Sequence, residues 1–193
     1  MFVLASKSPR RNELLKKFLI DDFINDSIDI DERKFDKEKH SIIDYVVSIA
    51  IEKMKPIIKK YPNDIILTCD TTVYFNDEKL NKPLDEKDAY SMLEKLSNKT
   101  HEVYSSYCIA KEGKIIKVGY DVSYVTFNEL SKELIKKYIK EKAPFDKAGA
   151  YGIQESNEEF PLIKSYKGSY YNIMGLPVEK LKEEFINLKI LKK

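Results

Sequence analysis

Met1-Phe2-Val3-Leu4-Ala5-Ser6-Lys7-Ser8-Pro9-Arg10-Arg11 changes character twice within eleven residues, from an apolar run to a polar turn to the start of a helix. Residues 1–5 read as a short buried strand. Ser8 suits an N-cap and Pro9 the first helical position, and Leu14, Leu15 and Phe18 follow at the spacing of a buried stripe. Only three of the 34 cationic residues are arginine, and two of those are Arg10 and Arg11. A guanidinium fork recognises phosphate bidentately, which an ammonium does not. Both arginines fall on the first helical turn, where the macrodipole disfavours positive charge and free N–H groups favour anions. A strand, a turn and a helix start of this kind fit a nucleotide phosphate. Two solvated arginines beside an ordinary Ser-Pro cap fit the same residues equally well.

Working outward, 193 residues suit one α/β domain, or one domain with two lobes, spanning residues 1–193. Hydrophobic residues make up 42% of the chain, which argues against disorder. The formal charge of +2 is the small difference between 34 basic and 32 acidic residues, and gives no bulk reason to expect nucleic acid or membrane as a partner. Cys69 and Cys108 are 39 residues apart with no C-x-x-C, so they read as small buried hydrophobes rather than zinc ligands or a disulfide. Residues 1–4 are too short for a secretory apolar region, and no apolar run approaches about 18 residues. The expectation is a soluble, cytoplasmic protein.

After the first helix, Asp21, Asp22, Asp26, Asp29, Asp31 and Glu32 interleave with isoleucines as a loop leading into a short strand. Ser41 caps a long helix in a capping-box arrangement with Asp44. Ile43, Val46, Val47, Ala50, Met54 and Ile57 recur along it at helical spacing, and Pro56 should kink or end it. Residues 65–75 are apolar and β-branched, the pattern of a strand buried on both faces, broken by one charge at Asp70. Asp85 caps an amphipathic helix with Ala89, Met92, Leu93 and Leu96 on one face. Residues 103–110 and 115–127 form a hairpin about Glu112-Gly113. Ser131 caps a further helix with Leu130 and Ile135 as a staple and Leu134, Tyr138 and Ile139 buried. A last helix from Pro177 buries Leu181, Phe185 and Leu188. Gly149, Gly152, Gly168 and Gly175 mark the last quarter as a segment of special backbone geometry. Mixed strands and helices favour an α/β or α+β sheet with flanking helices.

Asp70 is the sharpest candidate for chemistry. A carboxylate in so apolar a strand is costly to bury unless it is paired or binds metal, so the expectation places it at the strand's end, facing a cleft, as general base or metal ligand. A purely structural carboxylate bonded to Thr71, Thr72 or a lysine is the competing reading. Lys53 edges onto the buried stripe of its helix; a snorkelling stem leads over phosphate binding there. Lys82, ahead of Pro83, has the same two readings, and Glu32 reads first as a solvated acid. His101 reads as structural. Tyr166, Tyr170 and Tyr171 could stack a base or pack the core.

Five segments, in order, resemble the Maf family of nucleoside triphosphate pyrophosphatases. They are Leu4-Ala5-Ser6-x-Ser8-Pro9-Arg10-Arg11-x-Glu13-Leu14-Leu15; Asp70-Thr71 with Val73; Lys82-Pro83 leading to Asp85 and Asp88-Ala89; Asp146-Lys147-Ala148-Gly149-Ala150-Tyr151-Gly152-Ile153-Gln154; and Gly168-Ser169-Tyr170-Tyr171-Asn172 through Gly175-Leu176-Pro177. The resemblance implies a mixed, twisted α/β sheet with flanking helices, in two lobes around a nucleotide-binding cleft of the Maf/ITPase-like kind, and a homodimer as a possible assembly. It implies cleavage between the α and β phosphates with a divalent cation, Mg²⁺ or Mn²⁺, and the segment through Gln154 is similar to the branch acting on dTTP and UTP. Carried across residue by residue, Asp70 matches the proton acceptor, and Arg10, Thr71 and Gln154 the positions that set specificity. Ser8, Arg11, Glu32, Lys53 and Lys82 match other polar groups of the site, with Glu32 and Asp70 as metal ligands.

Three positions depart from the family pattern: Asn81 and Asn98 where glycine is usual, and Glu155 where glycine commonly follows the glutamine. Asparagine tolerates left-handed backbone, so the first two are mild. Glu155 brings a negative charge next to the base-recognition residue. A non-catalytic nucleotide-binding regulator of cell division, and a pyrophosphatase for modified or purine triphosphates, are the alternative functions.

Overall fold

The computed structural model describes residues 1–27, 30 and 41–192, which divide into two compact units. Met1–Asp70, Ser105–Asp121 and Gly175–Lys193 make up the first, and Thr71–Tyr104 and Val122–Met174 the second. Among the described residues seven strands, β1 (Phe2–Ala5), β2 (Ile24–Asn25), β3 (Ile65–Phe75), β4 (Glu78–Leu80), β5 (Thr100–Lys111), β6 (Lys114–Phe127) and β7 (Ile163–Lys167), share one mixed sheet in the order β2-β1-β3-β5-β6-β7, with β4 beside β3.

In the first unit, β1 (Phe2–Ala5) is buried throughout and pairs in parallel with β2 (Ile24–Asn25) on one side and β3 (Ile65–Phe75) on the other, Ala5 lying opposite Thr68. Continuous apolar side chains suit such a strand because both faces are covered. Helix α1 (Pro9–Phe18) starts as expected, with Ser8 Oγ accepting from Arg11 N–H and Pro9 in the first turn. Leu14 and Leu15 are buried, while Phe18 at the helix end is half-buried. Helix α2 (Ile42–Lys60) opens with Ser41 Oγ accepting from Asp44 N–H at 3.1 Å and returning its proton to Asp44 Oδ2 at 2.7 Å. Its buried face carries Tyr45, Val46, Ile49, Ala50, Met54 and Ile57; Ile43 is exposed instead.

Pro56 does not end α2, which runs on to Lys60. An interior proline costs a helix roughly 3 kcal/mol. Met54 and Ile57, on either side of it, are wholly buried, and burial of each contributes about 1.5–3 kcal/mol, enough to carry the helix through. Strands β5 (Thr100–Lys111) and β6 (Lys114–Phe127) are joined by Glu112 (φ 50°) and Gly113 (φ 72°), the left-handed pair of a two-residue hairpin turn. The closing helix α6 (Val178–Asn187) packs Phe185 edge-on against Phe2, ring centroids 5.6 Å apart. Leu181 and Phe185 are buried as expected; Leu188, at the C-cap, is half-buried.

In the second unit, β4 (Glu78–Leu80) pairs antiparallel with the end of β3, and β7 (Ile163–Lys167) with the end of β6. Helix α3 (Glu86–Leu96) is capped by Asp85 and buries Ala89, Met92, Leu93 and Leu96. Helix α4 (Lys132–Lys142) is capped by Ser131 and buries Ile135, Tyr138 and Ile139, with Leu134 only half-buried. Three short 3₁₀ turns follow, Pro144–Asp146, Ala148–Ala150 and Ile153–Glu155, and then β7 and the single-turn helix α5 (Tyr170–Met174). Gly149 needs its hydrogen: φ is +67°, and a Cβ there would stand 2.9 Å from Val73 Cγ2. The remaining helix, α6 (Val178–Asn187), belongs to the first unit. Among the described residues no helix is long and apolar enough to cross a membrane.

Candidate active site

The first unit contains Ser8, Arg11, Lys53 and Asp70, which come from the capped start of α1, from α2 and from β3. Two buried hydroxyls fix α2 against the sheet. Thr68 Oγ1 donates to Ala50 O and Ser106 Oγ donates to Val46 O, each at 2.6 Å. Lys53 lies one turn beyond Ala50 and is thereby aimed at β3, where its Nζ meets Asp70 Oδ1 at 2.6 Å.

Asp70 is 6% exposed and is the sixth of the eleven residues of β3, not at the strand's end. The strand-end placement is corrected: the pairing with a lysine that the competing reading allowed is present, and an ammonium within hydrogen-bond distance removes most of the cost of burial in mid-strand. Snorkelling is likewise corrected for Lys53: its ammonium turns inward to the carboxylate, and its side chain is 17% exposed. Cys69, next to Asp70, is buried and free, and burial pushes its thiol up to about 11, so it stays protonated and inert. Cys108 is also buried and free.

Arg11 is tied into the unit. Its Nε donates to Gly175 O at 2.8 Å, and its Nη1 to Cys69 O at 3.2 Å and Ser6 Oγ at 3.3 Å. Gly175 presents that carbonyl from φ +121°, a conformation L side chains rarely adopt. Arg11 therefore links α1, the strand residue before Asp70 and the start of the last segment. Arg10 shares the same helical turn and is half-buried. Ser8 serves as the helix cap, its own N–H donating to Ser6 Oγ at 3.2 Å. Glu32 lies outside the described residues.

Thr71, Lys82 and Gln154 belong to the second unit. Thr71 is half-buried in β3, Lys82 is exposed just after β4, and Gln154 is exposed in the 3₁₀ turn Ile153–Glu155. Asn81 O accepts from Gly149 N–H at 3.2 Å; Asn81 does not take up left-handed backbone, whereas Asn98 does, at φ 56°. Glu155, the departure that stood out in the sequence, is compensated. Tyr138 Oη donates to its Oε2, and Lys147 Nζ sits 3.2 Å from its Oε1. His101 is structural, as expected: it is 2% exposed, shares a 2.8 Å hydrogen bond with Tyr151 Oη, and burial pushes its imidazole down to about 3. Tyr166, Tyr170 and Tyr171 form a chain of ring contacts at 6.1 and 5.9 Å.

Sequence reasoning missed Thr68 and Ser106, and gave Asn172, quoted within a motif, no role. Asn172 Nδ2 donates to Val103 O at 3.1 Å and to Ser123 Oγ at 2.9 Å, pinning the segment after β7. A run of serines and threonines in apolar strands was the available signal for the first two. Among the described residues, no group of three or more His, Cys, Asp or Glu comes together to hold a metal. Among the described residues, Asp70 is the one acidic residue that is buried. That set fits a hard cation such as Mg²⁺, which binds through one or two carboxylates with substrate phosphates and water completing the shell.

A family model described as Maf-like protein matches residues 1–188. A dTTP/UTP pyrophosphatase of Acholeplasma laidlawii is 42% identical over 193 residues, covering 100% of this chain and 99% of that protein. Similar proteins of the same description occur in Clostridium acetobutylicum, 43% identical over 93% of both chains, and Pyrococcus furiosus, 42% identical over 91% of this chain and 89% of that one. With the motif-bearing residues Ser8, Arg11 and Asp70 gathered in one unit and the match running almost end to end, this chain belongs to the Maf-like protein family.

Proposed function

We propose that the protein hydrolyses dTTP and UTP between the α and β phosphates, yielding the nucleoside monophosphate and pyrophosphate. Relatives named for that activity, at 41–43% identity over nearly the whole chain, support the substrate class. The observation that carries the chemistry is the buried Asp70 carboxylate held 2.6 Å from Lys53 Nζ. A triphosphate carries more negative charge than one carboxylate and competes for the Lys53 ammonium. Drawing Lys53 onto phosphate releases Asp70 Oδ1 to accept a proton from water. The water oxygen bonds to the α phosphorus, the bond from that phosphorus to the bridging oxygen breaks, and pyrophosphate leaves with the electron pair.

Arg10, Lys53 and Lys82 supply positive charge for the phosphates, a preorganised electrostatic contribution that dominates phosphoryl transfer. Ser8 and Arg11 hold the loop in shape. Asp70 and Glu32 would hold Mg²⁺ or Mn²⁺, which would neutralise phosphate charge. Base selection falls to Gln154, with Thr71. On this reading the substrate comes from the cytoplasmic nucleotide pool, neither nucleic acid nor membrane is a partner, and a homodimer is the assembly to test by light scattering.

The test is turnover of a triphosphate panel with Mg²⁺ or Mn²⁺, with pyrophosphate and orthophosphate measured separately. dTTP and UTP should give monophosphate and pyrophosphate, and chelation should stop the reaction. Release of orthophosphate would place cleavage at the β–γ bond and remove the mechanism; no turnover of any triphosphate would favour a nucleotide-binding regulator.

A further inference from the structure

Glu155 follows Gln154 directly, and its carboxylate reaches back to the other side of that residue. Tyr138 Oη donates to Glu155 Oε2 while accepting from Gly152 N–H at 3.1 Å. One hydroxyl thus joins the residue two before Gln154 to the residue one after it. A backbone bond from Glu155 N–H to Gly152 O, 3.0 Å, closes the same turn from the main-chain side. The hydroxyl is deeply placed, since Tyr138 is wholly buried and its ring packs edge-on against Phe160 at 5.5 Å.

Lys147 completes the arrangement. Its side chain is 9% exposed, and its Nζ lies between Glu155 Oε1 at 3.2 Å and Asp146 Oδ1 at 2.8 Å. Taking an ammonium and a carboxylate out of water is costly unless their geometry is fixed on several sides, and here the carboxylate has Tyr138 as well. The Gln154 amide lies over the Gly152 α-carbon: a Cβ at Gly152 would come within 2.9 Å of Nε2 and 3.0 Å of Oε1. Gly152 is therefore both the platform beneath the amide and one end of the Tyr138 tie.

We infer that Glu155, through Tyr138 and Lys147, is a positioning residue for base selection, holding the turn that presents the Gln154 amide in a single orientation. This rests on the proposed function, in which Gln154 reads the base. An amide distinguishes an acceptor from a donor only if its oxygen and nitrogen cannot exchange places. A turn fixed at residues 152 and 155 sets where the amide stands over the Gly152 α-carbon, and the same charge that looked out of place beside a base-reading residue becomes part of its support.

The experiment compares kcat/KM for UTP and CTP in the wild type, Glu155→Ala, Glu155→Gln, Tyr138→Phe and Gln154→Ala, with thermal melting to confirm folding. The expected result is a fall in the UTP:CTP ratio of about tenfold in Glu155→Ala and Tyr138→Phe, the loss that goes with one buried hydrogen bond. Glu155→Gln keeps an oxygen for Tyr138 and should retain part of the discrimination. Adding Glu155→Ala to Gln154→Ala should lower the ratio no further than Gln154→Ala alone. An unchanged ratio in folded Glu155→Ala, or losses that add in the double variant, would overturn the inference while leaving the pyrophosphatase activity standing. Gln154→Ala with full discrimination would overturn it by removing the residue it serves. A wild type that turns over no triphosphate would instead reject the proposed function, and the inference with it. If Tyr138→Phe melts early, the two Glu155 variants decide the matter, since in both Lys147 Nζ keeps Asp146 Oδ1 as a partner at 2.8 Å.

Discussion

Lys53 Nζ and Asp70 Oδ1 are 2.6 Å apart, with side-chain exposures of 17% and 9%. A pair this enclosed is stable as a pair and unstable when halved. Lys53→Met should cost about 3 kcal/mol by taking the ammonium partner from a buried carboxylate. Adding Asp70→Asn to it should recover part of that loss, read as the denaturation midpoint in urea. Activity should behave oppositely. Asp70→Asn alone should lower kcat by about a hundredfold or more, the contribution of a general base, and the double variant should stay inactive despite its recovered stability. Near-normal turnover by Asp70→Asn would return the carboxylate to a structural role.

Adjacent arginines should part company under substitution. Arg11 spends Nε and Nη1 on Gly175 O, Cys69 O and Ser6 Oγ, and a lysine cannot reach three acceptors in that spread. Arg11→Lys should therefore lower the melting temperature clearly. Arg10→Lys should lower kcat/KM far more than Lys17→Arg on the same helix does. Equal, small effects of Arg10→Lys and Lys17→Arg on kcat/KM would mean that the guanidinium at Arg10 makes no forked contact with phosphate.

Much of the fold was legible because local chemistry and tertiary structure agree. Ser8, Ser41, Asp85 and Ser131 all cap the helices their spacing announces, and the Glu112-Gly113 turn sits where two alternating runs meet. Pro56 misled because propensity is local while the burial of Met54 and Ile57 is not. The site was half legible. The arginine pair and the lone charge at Asp70 stood out by residue type, but which donors face inward depends on partners 17 and 164 residues away in sequence, as Lys53 with Asp70 and Arg11 with Gly175 show. No pattern in one sequence links Tyr138 to Glu155; their meeting depends on how the 3₁₀ turns after α4 fold back.

Acid should weaken the protein through His101. Burial pushes its imidazole from an ordinary 6.5 down to about 3, so the folded state keeps it neutral where the unfolded chain takes up a proton. Its contribution is fully present above pH 6.5 and is lost as pH falls from there towards 3. Between pH 7.5 and 5.0 the loss from this group should be about 2 kcal/mol. Urea titrations of the wild type and His101→Gln at both pH values isolate it, because the other titrating groups are common to both. Identical losses in the two proteins would show that the imidazole charges within the fold.

Base choice should follow from the Gln154 amide and what lies beneath it. Uracil and thymine present an acceptor, donor, acceptor edge, and an amide of fixed orientation offers one donor and one acceptor to it. Cytosine puts an amino donor and an unprotonated ring nitrogen at the matching atoms, which leaves polar groups unpaired at about 1–3 kcal/mol each. CTP should therefore be a poor substrate, and Gln154→Glu, which loses the amide donor, should depress UTP use relative to CTP. Gly152→Ala offers a sharper check. Gly152 has φ −120°, which alanine adopts without strain, so the substitution acts through its new methyl, 2.9 Å from Gln154 Nε2. The amide must move, and the UTP:CTP ratio should fall with little change in melting temperature. If Gly152→Ala and Gln154→Glu both keep the wild-type ratio, the base is read elsewhere, and Thr71 with Tyr166, Tyr170 and Tyr171 are the next residues to vary.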